Sequence, residues 1–215
     1  MKDIPMFTTE FGVASLVMAE IPYRGEAYIR LQSVAEGKLK ELIGECVSFC
    51  RMVGAERIYA TGHDELSDYP VQTRVVEMSG VAQVDWDKVE HLFPVTEQTV
   101  SKWREINNSR MTDVECASTL TSRDEERILA SGGAYFVHHN GELLGTGWME
   151  EDHLLLICGV KPGAGERVLH TLLSLHEGER IRLEVADSNQ RAIRLYQRFG
   201  LIKVREITCW HRVFG

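Results

Sequence analysis

No run of apolar residues in this chain approaches the roughly 18–20 needed to span a bilayer, so a transmembrane helix is not the organising element. The opening MKDIPMFTTEFG has no basic stretch followed by an apolar core. Without a secretory signal, the expectation is a cytoplasmic protein with no membrane partner. Positive charge is also short: Lys plus Arg number 24 against 32 Asp plus Glu, a formal net charge of −8. That leaves no chain-wide basic field for a phosphate backbone, and no nucleic-acid partner is expected. The acidity is compatible with a cationic amine substrate, although its commoner role is solubility. Cysteine is sparse and odd in number, at Cys46, Cys50, Cys116, Cys158 and Cys209. All five lie in or near apolar patterns, which reads as reduced thiols rather than a disulfide framework. Cys46 and Cys50 could share a helix face, but no second pair of Cys or His ligands stands at a suitable spacing. Buried thiols are expected there, and no metal.

What is present is ordinary globular composition, 215 residues with 44% hydrophobic and 26% charged, enough for one large domain or two small ones. Phe11 to Ile21 and Glu26 to Val34 are β-rich runs separated by Pro22, Tyr23, Arg24 and Gly25, which reads as a hairpin. Leu39, Leu42, Ile43, Cys46, Val47, Cys50 and Val53 then recur at helical spacing, with Gly54 as the stop and a strand over Glu56 to Thr61. Asp64 to Pro70 is a polar loop, followed by a short strand over Arg74 to Met78. The first half is therefore β-β-α-β.

From about Leu92 the pattern becomes α-α-β-β-β-α-β-α-β, with the last strand open to division in two. Helices are expected from Thr96 through Asn107 and from Thr121 to Ala130, where Thr121 or Ser122 is the cap. Strands follow at Tyr135 to His139 and Leu143 to Met149, joined by Asn140-Gly141, a strong hairpin turn that leaves His138 and His139 near a solvated tip. Leu154 to Val160, Ile181 to Val185 and Leu201 to Val213 are further strands, with helices over Glu166 to His176 and Gln190 to Phe199. This order is an α/β arrangement, in the α+β sense of a mixed sheet with helices on its faces. The first half looks like a degraded partial copy of the middle of the second, and the division is placed at 1–85 and 92–215.

Two stretches carry chemistry. In LICGVKPGAGERVLHTLL, from Leu156 to Leu173, an apolar strand enters a Pro/Gly loop that opens directly into a helix. Backbone N–H groups at a helix start, approached past small residues, make a pyrophosphate cradle. Gly163, Ala164 and Gly165 leave that approach open and Arg167 adds a positive charge. Taken alone, the loop is more often a plain connection in which glycines turn the chain. The second stretch, LEVADSNQRAIRLYQRFG from Leu183, puts Tyr196 late in a short helix. Ala192, Ile193, Tyr196 and Phe199 share a helix face, so a core tyrosine is the plain alternative.

Val185, Asn189, Ala192, Leu195, Tyr196 and Gly200 match the pattern V-x-x-x-N-x-x-A-x-x-L-Y-x-x-x-G of the GNAT superfamily of acyl-CoA N-acyltransferases. Val160-Lys161-Pro162 and Leu172-Leu173 stand where that family has V-x-P and L-L. The chain resembles the family from about Leu92 to its end, which makes the first half a partial GNAT-like unit. The resemblance implies acetyl-CoA as co-substrate and an acetyl group passing directly to an amine. Backbone groups of Ile157, Cys158, Gly159 and Val160 would pair with pantetheine. Amides of Gly163, Ala164, Gly165, Glu166 and Arg167 would hold the pyrophosphate, and Asn189 would order the strand-to-helix turn and touch the cofactor. Tyr196 would protonate the departing thiolate, a task that suits a neutral phenol. No Cys or Ser sits in a recognisable nucleophile setting, which fits direct transfer. Glu150 and Glu151, with Asp152 and His153, are the candidates for the base that deprotonates the amine, although any one of them reads more simply as part of a solvated turn. Trp103, Asn107 and Met111 come from helices that shape the acceptor pocket in relatives. One departure stands out: Gly165 holds the position where the family has Arg or Gln, Glu166 follows, and the segment is one residue short. The expected partner is a small-molecule amine or a protein amino group, and the chain a monomer or homodimer. A catalytically silent CoA-binding or regulatory module of the same fold is the alternative. Use of a longer acyl chain depends on pocket depth, which spacing does not disclose.

Overall fold

A computed structural model of the chain describes residues 5–215, so the part of each N-terminal expectation that falls on residues 1–4 lies outside the described residues. The chain divides into two compact units, one reaching up to Arg74 and taking in Glu206–Gly215, the other Val75–Arg205.

In the first unit, β1 (Met6–Thr9) and β2 (Gly12–Val17) pair antiparallel, and β2 pairs antiparallel with β3 (Glu26–Val34). The expected hairpin is therefore joined by a one-turn helix, α1 (Ile21–Arg24), with Pro22 in its first turn and Gly25 at φ 67° ending it. An extra strand, β1, precedes it. α2 (Leu39–Met52) buries Leu39, Leu42, Ile43, Cys46 and Cys50, the stripe legible in the sequence. Burial pushes the Cys46 thiol up to about 12, helped by Cys50, and burial pushes Cys50 up to about 11, so both remain protonated core residues. β4 (Arg57–Thr61) pairs parallel with β3 along its whole length, from Glu26 opposite Arg57 to Arg30 opposite Thr61. β5 (Val71–Val81), longer than expected, begins in this unit and ends in the other.

In the second unit the end of β5 is followed by β6 (His91–Pro94), a strand the sequence did not signal, and α3 (Val100–Met111). A 3-10 turn over Ser122–Asp124, held by a capping box between Thr121 and Asp124, leads into α4 (Glu125–Ser131). β7 (Ala134–His139) and β8 (Glu142–Glu150) form the expected hairpin, with Asn140 at φ 51° and Gly141 at φ 80° supplying the paired left-handed residues of a tight turn. β9 (His153–Gly159) pairs antiparallel with β8. α5 (Gly165–Leu173) follows, then β10 (Arg180–Ala186) and α6 (Gln190–Arg198). β11 (Ile202–Phe214) closes the chain as one strand of 13 residues and crosses back into the first unit. Within this unit β10 runs parallel to β9 and antiparallel to β5, which makes the sheet mixed. The apolar face of α5, made by Val168, Leu169, Leu172 and Leu173, is fully buried in a core that also takes Ile181, Leu183, Tyr196 and Phe199. On the opposite face, Trp103 and Ile128 pack with Trp148. No helix among the described residues is long and apolar enough to cross a membrane.

Candidate functional site

The sheet of the second unit is split at one place. β10 matches β5 over seven residues, from Arg180 opposite Val81 to Ala186 opposite Val75. Its parallel ladder with β9 covers only Arg182 opposite His153 and Leu183 opposite Leu154. The cause lies in β9. Between Trp148 opposite Leu156 and Met149 opposite Leu154 the register slips, so Leu155 is an extra residue and the strand bends. Beyond Leu154, β9 follows β8 and leaves β10.

Alternation along the β8–β9 ladder decides which backbone groups face the gap. The Val160 amide donates to the Leu144 carbonyl at 2.8 Å, which makes that pair hydrogen-bonded. Thr146 with Cys158 is then also a hydrogen-bonded pair, while Gly147 with Ile157 and Gly145 with Gly159 are not. The N–H and C=O of Ile157 and Gly159 therefore point away from β8, towards the side that β10 has vacated. Those of Cys158 and Val160 are engaged inside the protein, and the Val160 carbonyl also accepts from the Arg110 guanidinium at 2.8 Å. Of the four residues expected to present backbone to a ligand, Ile157 and Gly159 have backbone groups on the open side of β9, and Cys158 and Val160 do not. The Cys158 side chain is buried against Thr146, and burial raises its pKa. Thr146 in turn donates to Asn107 at 2.7 Å, and Asn107 to the Trp103 carbonyl at 2.7 Å. This buried polar chain anchors α3 to β8, so Trp103 and Asn107 are structural supports rather than pocket walls.

The turn after β9 brings the start of α5 against the strand. A Cβ on Gly159 would lie 3.1 Å from the Gly165 nitrogen, which is why the close approach needs glycine there. Gly163, at φ 80°, turns the chain with nothing within 4 Å of where its Cβ would be. The Ala164 amide is taken by the Lys161 carbonyl. The N-cap is Ala164, which makes no side-chain cap, so among the described residues the first-turn amides from Gly165 to Arg167 keep their donor capacity. The charged side chains of this turn are committed elsewhere. Glu166 meets Lys88 at 3.0 Å and Arg198 at 3.4 Å. Arg167 pairs with Glu90, whose side chain is 7% exposed and also bonds His139 at 2.8 Å. The positive charge expected from Arg167 is thus already matched.

α6 completes the site. Asn189 caps it by accepting from the Ala192 amide at 3.1 Å, as expected for the residue that orders this turn. Leu195 reaches the Gly165 backbone, within 3.6 Å of where a Cβ would stand. Tyr196 is 7% exposed within the same core against which Ile157 packs. Its hydroxyl has no hydrogen-bond partner among the described residues but is not sealed from solvent, and burial of the side chain raises its pKa, so it stays protonated. Arg191, Arg194, Leu195, Gln197 and Arg198 line an open groove of about 580 Å³ along the same helix.

The fold as a whole is similar to those of solved structures. The similarity to a GCN5-related N-acetyltransferase from Kribbella flavida has a TM-score of 0.59 at 13% identity, over 99% of this chain and 90% of that one. For a GCN5-related N-acetyltransferase from Sphaerobacter thermophilus the TM-score is 0.54 at 13% identity, over 94% and 77%. This chain has the GNAT fold. A functionally unknown conserved protein from Staphylococcus epidermidis shares it at a TM-score of 0.60 and 8% identity, over 99% and 94%. No family model matches the sequence, and no curated protein matches it.

In this GNAT fold the candidate bases lie at the other end of β9. Glu150 is drawn to Arg127 of α4 at 2.9 Å, and Glu151 is an exposed turn residue at φ 52°. Asp152 pairs with Arg182 at 3.1 Å. His153 is half-buried, and burial first, then the nearby Arg182 charge, lowers its pKa, leaving it neutral at neutral pH. Lys88, Glu90 and Arg198 are partners the sequence reading missed. Lys88 and Glu166 lie 78 residues apart, and no spacing rule connects them.

Proposed function

We propose that the chain is an acetyl-CoA-dependent N-acetyltransferase acting on a small-molecule amine or a protein amino group. The observation that carries this is the early end of the β9–β10 ladder, which leaves Ile157 and Gly159 with unspent backbone groups facing a gap. An extended ligand with its own amides, such as pantetheine, fills such an edge as an added strand does. The uncapped start of α5 suits the pyrophosphate. Bound there, acetyl-CoA supplies an activated acyl group. Tyr196 holds a proton where a departing thiolate would need it, and its missing protein partner supports that role. His153, kept neutral, is a better proton acceptor than Glu150, whose carboxylate is tied to Arg127.

The first unit is proposed to be a partial GNAT-like repeat without a cofactor of its own. The order β1-β2-β3-α2-β4 matches β7-β8-β9-α5-β10 in sequence and in strand sense. Its parallel pair β3–β4 stays closed over five residues, which leaves no gap for pantetheine.

The test is calorimetric titration with acetyl-CoA followed by a thiol-release assay across a panel of amines. One acetyl-CoA bound per chain, with release for at least one amine, is expected. Binding without release for any amine would favour the silent module, for which the tied Glu150 and Arg167 speak. No binding would remove both readings.

A further inference from the structure

The charge most out of place at the proposed cradle is Glu166. A carboxylate in the first turn is favourable for a bare helix, because it faces the positive end of the dipole. For a helix that must receive pyrophosphate it is a rival, competing for the same amides and repelling the ligand's charge.

The structure answers this with two cations from separate elements. Lys88 Nζ stands 3.0 Å from one Glu166 oxygen, and the Arg198 guanidinium 3.4 Å from the other. Lys88 first, with Arg198 adding to it, holds the Glu166 carboxyl below the usual range, so the group is anionic in working conditions.

Lys88 does not reach there by chance of rotamer. It ends the 3-10 turn Trp86–Lys88 in the segment between β5 and β6, and that segment is strapped along α5. The Asp85 amide donates to His170 Nδ1 at 3.2 Å, Trp86 Nε1 to Glu177 at 2.9 Å, and the Glu90 amide to Thr171 Oγ1 at 2.9 Å. The Glu90–Arg167 pair closes the strap. With Glu166, Asp85 and Glu90 each facing a cation, Arg191 and Arg194 are left without an ion pair among the described residues, lining the groove on α6. The neighbourhood of the helix start is then net positive despite the acidic chain.

We propose that Lys88 is a positioning residue for the acyl donor: carried on the strap, it draws the Glu166 carboxylate off the start of α5 so that the first-turn amides can donate to the pyrophosphate of CoA. This rests on the proposed function and assigns a part in it to a residue outside the GNAT motif. Arg198 serves the same carboxylate from the other side.

The experiment measures CoA binding by calorimetry for the intact chain and for Lys88→Met, Lys88→Arg, Glu166→Gln and the double variant Lys88→Met/Glu166→Gln. Lys88→Met is expected to weaken binding about tenfold, the scale of one like charge placed beside a phosphate at a solvated site. Glu166→Gln should bind at least as well as the parent chain, and the double variant should match Glu166→Gln. Lys88→Arg should restore binding to within about twofold. A strap that only holds the fold together would predict otherwise: Lys88→Met would lower the melting temperature, and removing the Glu166 charge would not rescue it. Parent-like binding by Lys88→Met, or a double variant as weak as Lys88→Met, overturns the proposal while leaving the acyltransferase reading intact. A parent chain that binds no CoA overturns both.

Discussion

Replacing Tyr196 by Phe removes one oxygen from a site where the protein offers it no hydrogen bond. The Tyr196 ring packs in the core of the second unit, the residue 7% exposed, while its hydroxyl keeps some contact with solvent and has no hydrogen-bond partner among the described residues. Its loss should therefore change folding stability by no more than about 0.5 kcal/mol, the range for substitutions that break no native contact. Pantetheine and pyrophosphate would be held by backbone groups of β9 and α5, so the affinity for CoA should stay within about twofold. Turnover is another matter. Proton donation by a positioned acid is worth roughly 10²- to 10⁴-fold, or about 2.7–5.4 kcal/mol of barrier. A thiol-release assay at saturating acetyl-CoA should show kcat falling by that factor while KM for acetyl-CoA stays put. The pH profile adds a check. Burial raises the phenol above its usual value, so the proton is present through neutral and mildly alkaline pH. Tyr196 should impose no alkaline limb below about 10, the ordinary phenol value. A kcat within threefold of the parent chain would refute the assignment of Tyr196 as proton donor, and a large loss of CoA affinity would recast it as a binding residue.

Two further outcomes follow from the geometry. Gly159→Ala places a methyl 3.1 Å from the Gly165 nitrogen and 3.5 Å from its Cα, so strand and helix must part by a few tenths of an ångström. The expected cost of about 1–2 kcal/mol lowers the melting temperature by about 2–8 °C, and CoA affinity falls with it; unchanged calorimetry would mean that the helix start is not held by this contact. His170 accepts the Asp85 amide at Nδ1, rings with Phe199 at 4.3 Å, and has its pKa lowered by burial and then by Lys88, against the opposing influence of Asp85 and Glu166. A histidine whose folded pKa is depressed gives stability that is complete above the unfolded value near 6.5 and is lost as pH falls below it. The melting temperature should drop between about pH 6.5 and 5, and His170→Asn, which keeps an acceptor but cannot titrate, should flatten that drop; the same slope in both proteins would place its origin elsewhere.

Local signals in the chain were enough for a good part of both units. Asn140-Gly141 specified its turn because few other pairs adopt two left-handed conformations in succession, and the stripes of α2 and α5 were legible because burial of one face imposes a helical period. Asn189, which the family resemblance implied would order the turn into α6, caps that helix. β1 and β6, of four residues each, escaped notice because so short a strand owes its existence to the neighbour it pairs with. The site was half legible. Tyr196 and the start of α5 lie in contiguous motifs, whereas the split between β9 and β10 depends on a bulge at Leu155, which looks in sequence like any other leucine of an apolar run. Expecting all of Ile157 to Val160 to offer backbone groups overlooked the alternation of an antiparallel ladder, which gives Cys158 and Val160 to β8.

By itself, then, the sequence determined which segments could be helix, strand or turn, and which residues bring a phenol and a run of free amides near one another along the chain. Folding decided what those groups face. Whether a carboxylate such as Glu166 opposes a phosphate or is neutralised depends on Lys88, 78 positions away. Whether a backbone amide is spent or free depends on the strand beside it. Charge and hydrogen bonding act through space over a few ångströms, and only the tertiary structure fixes which residues lie that close.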